Sequence, residues 1–287
     1  MIVFLYDEND SNQVWFNCFY LAMCAIKNVF INKNLSSDIM KISNFHNSNN
    51  DLIVLFSPWF NYCENNENDR FILINTESLN VNRNFKLINY FHKSNVLLWF
   101  DYNIKNTKLI SNYQNYKIYH LPISYSETFE NIFDNTEVNK PIDVLFYGYL
   151  NERRLAIAED LKKYNLNLVF TTFPNNDELL HHIKHSKIIL IIHFYEECFC
   201  INHYRINFLL SNKIFIIHED IEKEENINNY KSNIIFSKYE NIVKTCLKYL
   251  NLDQSDRDLI CNNVYEWYKT EENIEKYIPI DKIKKII

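Results

Sequence analysis

Short apolar runs alternate with longer stretches of helical spacing, the pattern of an α/β fold built on parallel sheets. In the first part of the chain, residues 2–6, 28–31, 52–56, 71–75, 96–100 and 117–121 read as strands. Helical patterns over 13–27, 36–45, 85–93 and 104–110 separate them. A polar stretch at 126–141, carrying Asn and acidic residues and closed by Pro141, then breaks the pattern and reads as a linker. Beyond it the alternation restarts. Strands are expected at 143–147, 166–172, 187–193, 213–218 and 233–237, and helices at 152–164, 177–185, 202–211, 239–250 and within 256–277. The run from Ile188 to Ile192 is apolar at every position, as in a strand buried on both faces. The reading is therefore two Rossmann-like domains facing a cleft. An N-terminal domain spans 1–125, and a C-terminal domain with terminal helices spans 142–287. Such a cleft suits an enzyme that holds a nucleotide-bearing ligand.

Composition narrows the function classes. The 287 residues are 47% hydrophobic, enough for two cores, and the net charge of -6 argues against a nucleic-acid binder, which needs a basic face. No apolar run approaches the roughly 20 residues of a membrane span. The apolar start gives way to Asp7, Glu8 and Asp10, unlike a secretory signal. Seven scattered cysteines read as free thiols in a reducing compartment, so a cytoplasmic protein is expected. Cys198 and Cys200 between His193 and His203 match no zinc spacing, and no metal is assigned. Abundant Asn, Ile, Lys, Tyr and Phe point to an AT-rich genome, viral or microbial. The Asn clusters then mark loops rather than prion-like segments. Against that background the chain has one glycine, Gly148. Glycine is required only where a Cβ clashes or φ is positive.

Gly148 lies in the segment richest in chemistry, a strand, a glycine turn and a helix start running from Asp143 to Arg154. Ligands of open α/β sheets sit at the carboxyl ends of strands, and helix starts attract anions. Asn151 is placed to cap the helix. Arg153 and Arg154 in its first turn oppose the helix dipole, and a bound diphosphate reverses that cost. The competing reading has both arginines in solvent or paired with Glu152 or other acids. A second segment runs from His193, Tyr195 and Glu196 through Asn202 and Arg205 to His218 and Glu219. His193 and Glu219 each follow a buried strand, so they share an edge with Gly148, and Arg205 sits near a helix start. A structural histidine is the competing reading there. Glu77 and Asp101 each end a strand of the first domain and are candidate general bases for a sugar hydroxyl. Capping by Asp101, or orientation of a neighbour by Glu77, is the alternative. The Asp256-Arg257-Asp258 triplet reads as an ordinary helix start.

These segments resemble a family of glycosyltransferases with two Rossmann-like domains, the GT-B architecture of the group 1 type. The resemblance covers roughly residues 71–219. It rests on Asn75-Thr76-Glu77, on Trp99, Asp101, Tyr102 and Asn106, on Leu121, Pro122 and Tyr125, and on an ungapped match from Phe146 to Arg154. A His-Tyr-Tyr-Glu pattern falls on His193, Phe194, Tyr195 and Glu196, followed by Asn202 and Arg205. Asn202 stands where the family tends to have Glu, and Ser124 where it has Gly. The resemblance implies a nucleotide-diphosphate sugar held by the second domain through Gly148, Asn151, Arg153, Arg154, His193, Tyr195, Glu196, Asn202, Arg205 and Glu219. A glycan or glycoprotein acceptor is presented by the first, with Glu77 or Asp101 as catalytic carboxylate. No resident metal or cofactor is implied, since basic side chains offset the leaving diphosphate. The activity expected is hexosyl transfer, with inversion and retention both open. A catalytically inactive relative that binds a nucleotide sugar or a partner, or a two-domain sugar epimerase, is the alternative.

Overall fold

The computed structural model describes residues 1–7, 13–47, 50–79, 87–111, 118–133, 138–172, 175–196, 200–221 and 228–287. It divides into two compact units. One comprises Met1–Ser11, Cys18–Ser124 and Asn273–Ile287, the other Asn12–Asn17 and Tyr125–Glu272.

Six parallel strands form the first unit's sheet: β1 (Ile2–Tyr6), β2 (Ser37–Lys41), β3 (Leu52–Phe56), β4 (Arg70–Asn75), β5 (Val96–Asp101) and β6 (Ile118–His120), in the order β2-β1-β3-β4-β5-β6. Its helices are α1 (Gln13–Asn32), α2 (Tyr62–Asn65), α3 (Ile88–Phe91) and α4 (Ile104–Ser111). Residues 28–31, expected as a strand, are the last turn of α1. Their β-branched and aromatic content favours a strand, but Val29 and Phe30 continue the buried stripe of Phe19, Ala22, Met23 and Ile26 at helical spacing. Burial overrides local propensity here. Residues 36–45, expected as a helix, instead give β2 and a short 3₁₀ turn. Edge strand β2 pairs with β1 alone, and its polar residues suit an edge.

The second unit carries five parallel strands, β7 (Ile142–Tyr147), β8 (Leu168–Thr171), β9 (Ser186–Ile191), β10 (Ile216–Glu219) and β11 (Ile235–Ser237), ordered β11-β10-β9-β7-β8. Helices α5 (Glu152–Lys162), α6 (Asn176–Lys184), α7 (His203–Ser211), α8 (Asn228–Lys231), α9 (Ile242–Leu250) and α10 (Gln254–Glu271) accompany them. Val144, Phe146, Ile188, Leu190 and Ile217 of the sheet pack with Ile157 and Leu161 of α5 and Ile242 and Cys246 of α9. The strand order reverses between β7 and β9, the position where ligands of doubly wound sheets sit.

Three boundaries differ from the expected ones. Asn12–Asn17, expected in the first domain, group with the second unit. The stretch read as a linker groups with the second unit. Residues 273–287, expected to stay with the second domain, group with the first. This tail ends in helix α11 (Ile280–Lys284). It buries Ile274, Ile278 and Ile283, pairs Glu275 with Lys33, and accepts a 2.9 Å hydrogen bond from Arg70 at the Ile286 carbonyl.

Backbone geometry explains the single glycine. Positive φ among the other described residues occurs at Asn34, Asn50, Asn131, Asn165 and Lys213, all between 54° and 60°. Asn tolerates this left-handed helical region and takes over the usual glycine positions. Gly148 has φ 134°, outside that region, where a side chain is strained. The chain keeps glycine where asparagine cannot replace it.

Candidate functional site

At the carboxyl edge of the second sheet, β7 ends in Gly148 and its neighbour β9 leads to His193. The Gly148 amide donates to the Thr171 carbonyl at 3.0 Å, and the Thr172 hydroxyl donates to the Gly148 carbonyl at 3.0 Å. Pinned on both sides, the glycine presents a bare Cα to the Arg205 side chain: a Cβ there lies 3.0 Å from Nη2. The Arg205 guanidinium carbon also stands 4.7 Å above the Tyr147 ring. Among the described residues no carboxylate or carbonyl pairs with Arg205. Helix α7, which carries Arg205 in its first turn, starts at Asn202 without a side-chain cap. An unpaired guanidinium beside an uncapped helix start is a site for an anion. Gly148→Ala is expected to cost about 1–3 kcal/mol of stability from the strained φ and to push Arg205 off its seat. Urea unfolding of the variant checks the first effect.

The other two arginines are bonded to protein groups in the structure. Arg153 forms a two-pronged ion pair with Glu219, one arm at 2.7 Å, with the two side chains 17% and 7% exposed. It also donates to the His193 carbonyl at 3.2 Å and lies 3.9 Å over the Tyr239 ring. Arg154 turns inward and donates to the carbonyls of Ile192 and Tyr149. A first-turn arginine can thus point away from the helix start. Asn151 caps α5 as expected, accepting from the Arg154 amide at 3.1 Å, and its amide donates to the Phe194 carbonyl at 2.8 Å. Glu219 also accepts from the His193 amide at 2.9 Å. Arg153, Arg154, Asn151 and Glu219 therefore brace the edge loops against one another. Arg153→Ala leaves the Glu219 carboxylate buried without its cation, and is expected to lower stability by about 3–5 kcal/mol in denaturant titration.

Tyr195 and Glu196 lie on the exposed rim with Phe194, and Tyr149, after the glycine, is 59% exposed. Behind the rim sit two buried imidazoles. His193 and His218 meet edge to face with ring centroids 5.2 Å apart, and neither Nε2 has a hydrogen-bond partner among the described residues. The sequence pattern assigned His218 no role, although a histidine closing the apolar run 214–217 is a visible signal.

The first unit separates its two carboxylates. Asp101 is fully buried, and its oxygens accept from Asn75 Nδ2 (2.8 Å), Trp99 Nε1 (3.2 Å), the Asn103 amide (2.9 Å) and Asn106 Nδ2 (2.9 Å). Burial pushes its pKa up to about 7 against these bonds. With all four lone-pair directions occupied there is no room for an acceptor hydroxyl, so Asp101 ties strand ends together rather than serving as an open base. Glu77 is only half-buried. Its backbone is held by Asn75 and Asn106, whose amides donate to its carbonyl at 2.8 Å each.

No protein-family model matches the sequence, and no curated protein is significantly similar to it. Solved structures are similar over the whole chain. A T4 phage β-glucosyltransferase matches with TM-score 0.62 at 10% identity, covering 100% of this chain and 99% of that one. The T4 phage enzyme in complex with its UDP-glucose substrate matches with TM-score 0.61 at 12% identity, covering 100% and 98%. WaaG, a glycosyltransferase involved in lipopolysaccharide biosynthesis, matches with TM-score 0.57 at 8% identity, covering 100% and 99%. With two parallel Rossmann-like sheets and these neighbours, the chain has the fold of the GT-B glycosyltransferases.

Proposed function

We propose that this protein is a glycosyltransferase that takes a hexosyl group from a nucleotide-diphosphate sugar and passes it to a glycan or glycoprotein acceptor. The observation that carries this reading is the unpaired Arg205 guanidinium seated on the bare Cα of Gly148 at the strand-order reversal. Arg205 and the uncapped start of α7 bind the diphosphate and offset the charge that grows on it as the glycosyl bond breaks. His193, Asn202, Tyr195 and Glu196 line the donor's surroundings. Arg153, Arg154, Asn151 and Glu219 act at one remove by holding the loops. Glu77 takes the acceptor-side carboxylate role, since Asp101 is enclosed. The reading calls for no resident metal. One T4 phage structure contains UDP together with Mn²⁺, so activity assays with and without chelator bear directly on that point.

A screen of UDP-, GDP- and dTDP-sugars by thermal shift tests the reading. A true donor at 100 times its Kd stabilises by about 2.7 kcal/mol, and activity then appears as release of the free nucleoside diphosphate. No stabilisation by any of them contradicts it. A second reading, a binder without catalysis, draws on Asn202 in the place of a Glu. It is supported by stabilisation without nucleoside diphosphate release in the presence of acceptors.

A further inference from the structure

The imidazoles behind the rim have no task in the fold that accounts for both Nε2 atoms. His218 is 0% exposed, and its Nδ1 lies 2.6 Å from the Glu219 carbonyl. A carbonyl only accepts, so Nδ1 carries the hydrogen and Nε2 keeps a buried lone pair with no donor among the described residues. Leaving such a group unmatched is costly, and it persists where a bound state uses it. The surroundings of His218 are cationic or neutral on its ligand side: His193 after β9, and Arg205 and His203 on α7. The Phe236 ring of β11 covers another side, and the neighbouring carboxylate, Glu219, is already spent on Arg153 and the His193 amide. Burial first, then His193, holds the His218 pKa well below its ordinary value, with Arg205 and His203 acting in the same sense; only the bond to Glu219 opposes them. These surroundings favour the neutral imidazole. A diphosphate brings two negative charges to a place where Arg205 supplies one positive charge, and the excess favours a proton on a nearby imidazole.

We propose that binding of a nucleotide-diphosphate sugar at this edge brings one proton from solvent onto the His193–His218 pair, with His193 on the ligand side and His218 as its positioning residue. The inference rests on the diphosphate reading of the same edge. Its consequence has a definite sign. Over the interval in which this proton is taken up, affinity rises as pH falls, by up to about tenfold per pH unit for one proton. Outside that interval affinity is flat.

Isothermal titration with UDP-glucose, and with GDP-mannose in parallel, tests this. The diphosphate diester of either sugar has no group that titrates between about pH 5 and 8, so any proton taken up goes to the protein. The binding heat measured in PIPES and in imidazole at pH 6.5 is expected to differ in proportion to about one proton per site, and Kd to tighten from pH 8 to pH 6. His193→Gln and His218→Gln are each expected to lose the tightening between pH 8 and pH 6, and His193→Gln also part of the affinity at every pH. A purely structural role for His218 weakens binding equally at every pH. If His218→Gln does not fold, His193→Gln and the two-buffer comparison on the parent carry the test. Binding with equal heats in the two buffers and a pH-independent Kd overturns the proton linkage and leaves the diphosphate site standing. No binding of either sugar nucleotide overturns both.

Discussion

Arg205→Ala is expected to weaken UDP-glucose binding by about 1.5–3 kcal/mol, the size of a lost charge-assisted hydrogen bond, or roughly 10- to 150-fold in Kd. The same substitution is expected to leave unfolding stability within about 0.5 kcal/mol. The second half of the expectation follows from the geometry. Among the described residues Arg205 makes no ion pair or hydrogen bond, and its contacts are with Gly148 and the Tyr147 ring. A charged, half-buried residue unpaired among the described residues contributes little to the fold and is placed to meet a ligand. Arg153 is its mirror case: bonded to Glu219 and the His193 carbonyl, it contributes mainly to the fold. Calorimetry and urea unfolding on the two variants therefore separate the roles. Unchanged UDP-glucose affinity in Arg205→Ala removes that residue from the donor site.

Asp101→Ala is expected to destabilise as much as Arg153→Ala does. Four donors converge on its carboxylate, from β4, β5, the following loop and α4. Removing it strands all of them in the interior, at an expected cost of about 3–5 kcal/mol, the range for breaking a buried charged network. The pH dependence has a sign that distinguishes this account. The folded pKa, about 7, is raised above the ordinary carboxylate value by burial. Such a group contributes its full stability at pH values below its unfolded pKa, near 3.9, and loses it as pH rises through about 7. The penalty of Asp101→Ala is therefore expected to be largest below about pH 4, to fall between pH 5 and about 7, and to be flat above that. A penalty that is constant across this interval contradicts the raised pKa. In the parent chain, loss of activity on substitution is then a folding effect, readable as a fall in active fraction with unchanged KM.

Much of the fold was legible because parallel strands buried on both faces announce themselves as unbroken apolar runs. β1 and β3 have the expected limits, and β4, β5 and β7 fall within a residue of theirs. The failures lie where tertiary context decides. Residues 28–31 look like a strand and extend α1, because the sheet needs a longer apolar face. Residues 36–45 look helical and supply an edge strand, because β1 has a free side. No local pattern announces that the tail 273–287 groups with the first unit.

The candidate site divides in the same way. The local settings of Gly148, Asn151 and Arg205 were readable, since a turn glycine, a helix cap and a helix-start arginine have local signatures. The direction in which Arg153 and Arg154 point was not. It depends on Glu219, which is 66 residues away in sequence, and on the Ile192 carbonyl at the end of a neighbouring strand. Asp101 shows the same limit: a strand-terminal acid looks the same in sequence whether it faces solvent or four inward donors.

A structure of the protein in complex with UDP measures the central claim most directly. The account predicts the diphosphate against the bare Cα of Gly148, with its oxygens within hydrogen-bond distance of Arg205 and the Arg153–Glu219 pair intact. UDP bound elsewhere, or held by Arg153 and Arg154 while Arg205 makes no contact, contradicts it.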